Sequence, residues 1–259
     1  MRSMVVGGVK KVFRRYGYEI TRPVGPDVVD TARQYPVDFD EATLAMIREV
    51  EIHTMTGPEK LFALRSAISY LVDNDIPGDF VECGVWRGGS MMAAARTLIE
   101  LGDTSRHLYL LDTFEGMPKP TPEDVDWNGE SMLGRWNAEH RNRFNRDARA
   151  SVDEVADNMA TVGYGDDKIH LVKGMVEDTI PEHTPDRIAL LRLDTDYYSS
   201  TLHELVHLYP LLAPGGVLII DDYGHFKGAE QAVTEYFAGT GEHVLLHRID
   251  YSARMMVKR

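Results

Sequence analysis

Four aspartates in two short motifs are the side chains of this sequence whose types and spacing best suit chemistry. Asp194 and Asp196 follow one apolar run, and Asp221 and Asp222 follow the next. If the two runs are neighbouring parallel strands, the four carboxylates meet at one sheet edge, where they repel each other unless a cation neutralises them. Oxygen ligands alone favour a hard ion such as Mg²⁺. The sequence therefore predicts a magnesium site with Asp194, Asp221 and Asp222 as ligands.

The same cluster predicts proton transfer. A bound metal lowers the pKa of a hydroxyl group, and a carboxylate beside it can then remove the proton. We assign this base to Asp196, with His225 as the second candidate because it comes three residues after Asp222. Two plainer interpretations stay open: acids at strand ends often cap the next helix, and His225 could be an ordinary surface histidine.

A glycine-rich stretch, residues 82–90 with the sequence ECGVWRGGS, follows an earlier apolar run. It matches neither the G-x-G-x-x-G of dinucleotide sites nor a P-loop, since no Gly-Lys-Ser/Thr follows. An acid at a strand end, with glycines opening a helix, suits a ligand that carries positive charge and no phosphate, and S-adenosylmethionine is such a ligand. The predicted cofactor residues of this stretch are Glu82, Gly84, Val85, Arg87, Gly88 and Ser90.

Two further strand ends carry residues suited to the same cofactor. Asp112 ends the second apolar run, where a carboxylate can accept hydrogen bonds from both ribose hydroxyls. Gly174 and Glu177 follow the third run, where the backbone and Glu177 or Asp178 can face an adenine edge. Each acid alone could be only a helix cap, but three acids in this order favour a nucleoside cofactor.

Short apolar runs that alternate with helix-length segments must position these residues. Such runs, rich in branched side chains, favour a parallel sheet with crossover helices. The tail differs, because His243–Arg248 and Arg254–Val257 flank a turn at Asp250 and indicate a terminal antiparallel hairpin. Arg192 interrupts the fourth run, which predicts a buried ion pair. The predicted parallel strands are Phe80–Glu82, Leu108–Leu111, Ile169–Val172, Ile188–Leu193 and Val217–Ile220.

Two segments outside the sheet also carry predictions. Thr56 and Glu59 have the spacing of a capping box, with a proline in the first turn, so we expect a helix to begin there. Residues 117–153 are too long for a plain connection and predict a lid or binding insertion. Its Trp127 and Trp136 could stack on a sugar or form a small core of the insertion itself.

Length and composition favour one large α/β domain. The 259 residues divide into an N-terminal extension, 1–55, and a catalytic domain, 56–259. A net charge of −13 argues against nucleic-acid binding. The single cysteine, Cys83, excludes an internal disulfide and fits a reducing cytoplasm, and no apolar run is long enough to span a bilayer. The first 20 residues hold five basic side chains and one acidic one, which predicts either a packed amphipathic helix or weak contact with a membrane surface.

Four motifs occur along the chain: Glu82-x-Gly84-Val85-Trp86-Arg87-Gly88-Gly89, Asp112-Thr-Phe-Glu-Gly-Met-Pro118, Leu193-Asp194-x-Asp196-x-Tyr198 and Asp221-Asp222-Tyr223. Together they resemble the macrocin O-methyltransferase family over residues 53–259. The resemblance implies a Rossmann-like class I methyltransferase fold, with a mostly parallel seven-stranded sheet, a C-terminal antiparallel hairpin and helices on both faces. It also implies Mg²⁺-dependent transfer of a methyl group from S-adenosylmethionine to a sugar hydroxyl, often by a dimer, with residues 117–153 as the substrate lid. Met55 is then expected to close over the cofactor, and Asp194 to contact the cofactor as well as the metal.

Three other functions are compatible with parts of the sequence. The stretch from His203 to His207 fits the H-E-x-x-H motif of zinc proteases, but it lies in the crossover between two core strands and has no metzincin continuation. Asp194 and Asp196 also fit the D-x-D of nucleotide-sugar glycosyltransferases, which leaves the glycine-rich stretch unexplained. A cofactor-sensing scaffold on the same fold would have no need of four clustered carboxylates.

Overall fold

A computed structural model describes residues 35–138 and 148–259 of the chain. Residues Phe39–Arg259 form one compact unit. The basic stretch of the first 20 residues, and with it the predicted contact with a membrane surface, lies outside the described residues. Among the described helices, none is long and apolar enough to cross a membrane.

The described residues form one sheet of seven strands: β1 (Asp79–Cys83), β2 (Leu108–Asp112), β3 (Ile169–Lys173), β4 (Ile188–Leu193), β5 (Leu212–Ile220), β6 (His247–Arg248) and β7 (Arg254–Val257). Their order across the sheet is β3-β2-β1-β4-β5-β7-β6. β1 to β5 are parallel, whereas β7 runs antiparallel to β5 and pairs with β6 in a hairpin. This topology confirms the predicted fold class.

The described helices are α1 (Glu41–Val50), α2 (Pro58–Asp73), α3 (Gly89–Leu101), α4 (Met132–Ala138), α5 (Val152–Ala160), α6 (Val176–Thr179), α7 (Tyr198–Leu208) and α8 (Lys227–Thr240). Successive residues of a strand point to opposite faces of the sheet. Val81 and Cys83 of β1 belong to the apolar cluster that contains Leu205 of α7. Glu82, between them, points to the other face, where α2 packs on β4 and β5. Helices therefore cover both faces, as predicted.

Three adjacent strands end at the same level. Cys83 of β1 pairs with Leu193 of β4, and Leu193 pairs with Ile220 of β5. The residues that follow these strands, including Asp194 and Asp221, consequently begin side by side at the carboxyl edge of the sheet. The prediction that the two aspartate motifs meet at one edge is confirmed.

The starts of β5 and β6 differ from the predicted ones by five and four residues, whereas the bounds of β1, β2 and β3 differ by one residue. β5 begins at Leu212 rather than Val217, because a bulge in its pairing with β4 accommodates residues 214–216, which are Pro-Gly-Gly. Such residues usually end a strand pattern. β6 has only two residues and does not begin at His243, because only His247 and Arg248 pair with β7. Val244 packs against the core instead of joining a ladder.

The predicted capping box at the start of α2 is wrong. The N-cap residue is Gly57, and no side chain caps the helix. Thr56 instead contacts two side chains of the carboxyl edge: its Oγ1 accepts from Arg192 Nη2 at 3.1 Å and lies 3.1 Å from Ser90 Oγ. The hydroxyl of Thr56 therefore makes tertiary contacts with Arg192 and Ser90 instead of the helix-capping hydrogen bond that the local pattern predicts.

Candidate active site

A cavity of about 430 Å³ opens at the carboxyl edge of the sheet. Its volume is within the usual range of small-molecule sites. The predicted site residues that line it are Met55, Gly84, Val85, Ser90, Asp112, Gly174, Glu177, Asp194, Asp196, Asp221, Asp222 and His225. The structure thus brings the predicted metal ligands, both candidate bases and most of the predicted cofactor residues to one cavity.

Three predicted cofactor residues do not line this cavity. Glu82 is buried behind it, where it accepts a hydrogen bond from Arg192. Arg87 forms a salt bridge with Glu154 of α5 at 2.8 Å. Gly88 is the left-handed N-cap of α3 and faces α5. These residues fix the surroundings of the glycine-rich turn, and a direct contact with the cofactor stays a prediction for them.

Asp112 organises the glycine-rich turn. One carboxylate oxygen accepts hydrogen bonds from the amides of Val85 (2.7 Å) and Trp86 (3.1 Å). The other accepts from the amide of Phe114 (2.7 Å) and the hydroxyl of Thr113 (3.3 Å). A carboxylate offers about four acceptor sites, and three backbone amides engage three of them, because the single proton of the Thr113 hydroxyl is closer to the carbonyl oxygen of Gly116, at 2.7 Å. The predicted hydrogen bonds to ribose hydroxyls would have to share these oxygens.

Gly84 allows the turn to approach the first aspartate motif closely. Its φ is +82°, and a Cβ atom there would lie 2.1 Å from the carbonyl oxygen of Asp194. Only glycine combines this backbone conformation with so close an approach. The predicted cofactor stretch therefore lies directly against the predicted metal site.

Asp194, Asp221 and Asp222 each offer a carboxylate oxygen, and these atoms all lie within 4.8 Å of one another. Asp196 lines the cavity beside them with a φ of +68°, a left-handed conformation that is costly for a residue other than glycine. Burial raises the pKa of Asp194 despite the opposing effect of Arg192. Burial also raises the pKa of Asp196, and the charges of Asp222 and Asp194 add to the shift. Clustered oxygen donors of this kind suit a hard divalent cation.

Two largely buried cations, Lys60 and Arg192, lie among these carboxylates. Lys60 Nζ donates to Asp221 Oδ2 at 2.6 Å. Arg192 donates to Asp194 Oδ2 at 2.7 Å and to Asp221 Oδ1 at 2.5 Å. Burial alone would raise the pKa of Asp221, but Arg192 and Lys60 hold it below its ordinary value. The buried ion pair predicted for Arg192 is thus part of the candidate site.

The insertion after β2 packs beside His225. The amide of Trp127 donates to the carbonyl oxygen of His225 at 2.8 Å, and the amide of Lys227 donates to that of Val125 at 3.0 Å. Tyr251, in the turn of the terminal hairpin, places its hydroxyl 3.2 Å from His225 Nδ1 and lines the cavity. Trp127 and Tyr251 are 59% and 64% exposed. Two residues with exposed aromatic side chains therefore contact His225, Trp127 through its backbone amide and Tyr251 through its hydroxyl.

Buried polar atoms without a hydrogen-bond partner indicate that the cavity is suited to the predicted cofactor. Among the described residues, Trp86 Nε1 and Glu177 Oε2 are buried without a hydrogen-bond partner, and both residues line the cavity. A ligand with acceptor and donor groups would satisfy them. S-adenosylmethionine has both kinds of group, and its positive charge suits an acidic cavity.

The sequence alone did not identify three residues of the site, which are Lys60, Thr56 and Tyr251. A lysine in the first turn of α2 opposes the helix dipole, and this was the available indication for Lys60. Thr56 resembled a cap and Tyr251 resembled a turn residue, so neither offered a functional signal. Their roles depend on contacts with residues far along the chain.

The residues of the H-E-x-x-H match lie in α7 and contribute to the packing of that helix. Glu204 is fully buried and accepts a hydrogen bond from Thr195 Oγ1 at 2.9 Å. The rings of His203 and His207 lie 4.3 Å apart, and His203 Nε2 lies 3.2 Å from the carbonyl oxygen of Ile180. Within the described part of the chain, the group suited to a metal is the aspartate cluster and not this motif.

Sheet order, the glycine-rich turn and the acidic cavity define a class I methyltransferase. The solved structure of the O-methyltransferase NovP matches with a TM-score of 0.72 and 27% identity, over 84% of this chain and 99% of that chain. The family model for macrocin O-methyltransferases matches residues 26–258. The chain therefore belongs to the macrocin O-methyltransferase family and is an S-adenosylmethionine-dependent O-methyltransferase.

Two relatives of known name are similar over most of the chain. The mycinamicin III 3''-O-methyltransferase of Micromonospora griseorubida is 35% identical over 184 residues, which are 71% of this chain and 70% of that enzyme. The 8-demethyl-8-(2,3-dimethoxy-alpha-L-rhamnosyl)-tetracenomycin-C 4'-O-methyltransferase of Streptomyces olivaceus is 36% identical over 184 residues, 71% of this chain and 67% of that enzyme. These similarities confirm the resemblance that the four motifs indicated.

Proposed function

We propose that this enzyme methylates a sugar hydroxyl of a glycosylated natural product, glycolipid or polysaccharide, with Mg²⁺ held by Asp194, Asp221 and Asp222. The observation that carries the proposal is the group of three carboxylate oxygens within 4.8 Å of one another at the wall of the cavity. The name of the Streptomyces olivaceus relative specifies a rhamnosyl compound and a 4'-O-methyl transfer, which supports a sugar acceptor.

In the reaction, the acceptor oxygen forms a bond to the methyl carbon while the bond from that carbon to the sulfonium sulfur breaks. The products are the methyl ether and S-adenosylhomocysteine, and the hydroxyl proton must go to a base. When bound, Mg²⁺ would act as a Lewis acid that lowers the pKa of the acceptor hydroxyl. Asp196 takes the proton in this proposal, because it lines the cavity and is the one of the four aspartates that is not assigned as a metal ligand. His225 remains the second candidate base.

Residues of the glycine-rich turn and of the third strand end hold S-adenosylmethionine. The backbone of Gly84 and Val85 bounds the cavity near Asp194, and Ser90 lines it at the start of α3. Gly174 and Glu177 line the end of the cavity next to α6, where the unpartnered Glu177 Oε2 can accept from the adenine amino group. The exposed Met55 lines the cavity, and in this proposal it covers the bound cofactor.

The insertion at 117–153 acts as the acceptor lid in this proposal. Its described part is joined to the loop that carries His225 by backbone hydrogen bonds, so it lies beside the proposed metal site. The exposed ring of Trp127 is the surface on which a sugar can stack. A dimeric state, a cytoplasmic location and a separate extension at residues 1–55 stay predictions.

Transfer of a labelled methyl group to a panel of sugar glycosides tests the proposal. We expect turnover that EDTA abolishes and added Mg²⁺ restores. Asp196→Asn should lower kcat at least about a hundredfold, while its S-adenosylhomocysteine affinity stays within about twofold of wild type. Asp167→Asn, an exposed aspartate outside the cavity, is the control and should match wild type.

Four results would contradict parts of the proposal. Turnover that continues in the presence of EDTA would show that the reaction does not need a divalent metal. Equal losses of turnover and cofactor affinity in Asp196→Asn would show that Asp196 is not the base. A larger loss of turnover in His225→Asn than in Asp196→Asn would assign the base to His225. A thermal shift with a nucleoside diphosphate, but none with S-adenosylhomocysteine, would favour the glycosyltransferase alternative.

A further inference from the structure

Arg192 joins acidic residues from three adjacent strands. It is 3% exposed and lies in β4, whose other five residues are apolar. Nη1 donates to Glu82 Oε1 at 2.5 Å and to Asp194 Oδ2 at 2.7 Å. Nη2 donates to Asp221 Oδ1 at 2.5 Å and to Thr56 Oγ1 at 3.1 Å. One guanidinium group therefore bonds to two of the proposed metal ligands and to two residues that are not.

Strand register explains how the guanidinium is anchored. Arg192 pairs with Glu82 of β1 on one side and with Ile219 of β5 on the other. Glu82 precedes the glycine-rich turn, and Thr56 also contacts Ser90 at the start of α3. The side chain is thus held from the cofactor side of the cavity and presents its remaining donors to the aspartates.

Among the residues that the structure describes, carboxyl groups outnumber cations at this site. Glu82 and the four aspartates supply five carboxylates, whereas Arg192 and Lys60 supply two cations. Burial opposes the charge of Arg192, but Asp194, Asp221 and Glu82 raise its pKa, so it stays protonated. A buried arginine is weak evidence for stability, since an apolar residue in β4 would avoid the cost of desolvation. Its place between two metal carboxylates indicates a different task.

We propose that Arg192 is a positioning residue that holds Asp194 and Asp221 in the arrangement that binds a divalent cation. The inference rests on the proposed metal site. Arg192 does not line the cavity, so it acts through the two aspartates and not by contact with substrate. Its planar fork can bridge two carboxylates at once, which a single ammonium group cannot do with the same geometry.

The position of the Arg192 side chain and its positive charge are expected to have opposite effects on metal affinity. A positive charge beside a cation site repels the cation, so an arginine acting by charge alone would weaken metal binding. An arginine acting by position keeps together two carboxylates that otherwise repel each other, and so strengthens binding. Substitutions that separate charge from geometry can therefore distinguish the two roles.

Titration of the cofactor-free protein with Mn²⁺, followed by the electron paramagnetic resonance of the free ion, tests the inference. Arg192→Lys keeps the charge and loses the fork, so the Mn²⁺ dissociation constant should rise about tenfold or more. Arg192→Met, without charge or fork, should bind Mn²⁺ at least as weakly as Arg192→Lys. The affinity of Arg192→Lys for S-adenosylhomocysteine should stay within about threefold of wild type, which a general structural defect would not allow.

Two further variants complete the experiment. Arg106→Lys is the matched control, since Arg106 is also nearly buried and donates to Asp103 and to the carbonyl oxygens of Ile76 and Gly78, away from the cavity. Its Mn²⁺ affinity should equal that of wild type. Thr56→Val removes one uncharged anchor of the guanidinium and should weaken Mn²⁺ binding about threefold, which tests the inference even if the Arg192 variants do not fold.

The outcomes separate this inference from the proposed function. Mn²⁺ binding in Arg192→Lys equal to wild type, or tighter binding in Arg192→Met, overturns the positioning role. If wild type binds Mn²⁺ and Asp194→Asn does not, the metal site stands whatever the Arg192 variants show. If wild type binds no Mn²⁺, the metal site and the inference both fall.

Discussion

Replacing Glu204 by glutamine removes an ionisable carboxyl group from the core. Glu204 lies on α7, is fully buried, and accepts a hydrogen bond from the hydroxyl of Thr195, which lies between Asp194 and Asp196. Burial raises the pKa of Glu204 from 4.5 to about 8, against the lowering effect of the Thr195 hydrogen bond. Glutamine keeps the shape and the acceptor oxygen but cannot ionise.

The size of the effect follows from the two pKa values of Glu204. The pKa is 4.5 in the unfolded chain and about 8 in the folded one, so between these values the folded protein holds a proton that the unfolded chain has lost. This contribution to stability is complete below pH 4.5 and is lost as the pH rises through 8. One pKa unit corresponds to about 1.4 kcal/mol. Glu204 alone should therefore lower the free energy of unfolding by about 3 kcal/mol between about pH 5 and about pH 8.

Urea unfolding of wild type and Glu204→Gln at several pH values measures this difference. The wild-type value should fall more steeply with pH than that of the variant, by about 3 kcal/mol over the range. Other groups, such as Glu82, whose pKa burial raises to about 7, contribute equally to both proteins and cancel. Glu182→Gln, at an exposed position, should follow wild type. Parallel curves for wild type and Glu204→Gln would refute the reasoning.

Three further substitutions have defined outcomes. Gly84→Ala places Cβ 2.1 Å from the carbonyl oxygen of Asp194 and should cost at least about 3 kcal/mol of unfolding free energy, whereas Gly102→Ala, at a similar φ with open space, should cost about 1 kcal/mol. Equal costs in calorimetry would argue against the close approach. Asp112→Asn should lower the melting temperature of the cofactor-free protein and weaken S-adenosylhomocysteine binding at least about tenfold; loss of binding with an unchanged melting temperature would assign Asp112 to the ligand alone. Trp127→Ala should raise the KM for the acceptor about fivefold at unchanged kcat, and a fall in kcat instead would exclude simple stacking.

The local pattern of the sequence was sufficient for the strands and for the acids that follow them. Ile188–Leu193 is apolar and branched along almost its whole length, so its burial in a parallel sheet could be predicted without knowledge of its neighbours. The pattern was insufficient at the N-terminal half of β5, because the bulge that accommodates residues 214–216 exists only in the pairing with β4. It was also insufficient for β6, whose length depends on how many of its residues pair with β7.

The site shows the same division. That Asp194 and Asp221 stand at strand ends is a property of the chain, since each follows an apolar run whose burial hydrophobicity alone enforces. Which cations Asp221 meets was decided by tertiary structure, because its contacts with Arg192 and Lys60, like the contact of Arg192 with Thr56, join residues that are distant in sequence. Such contacts depend on strand order and register, and no local periodicity carries that information.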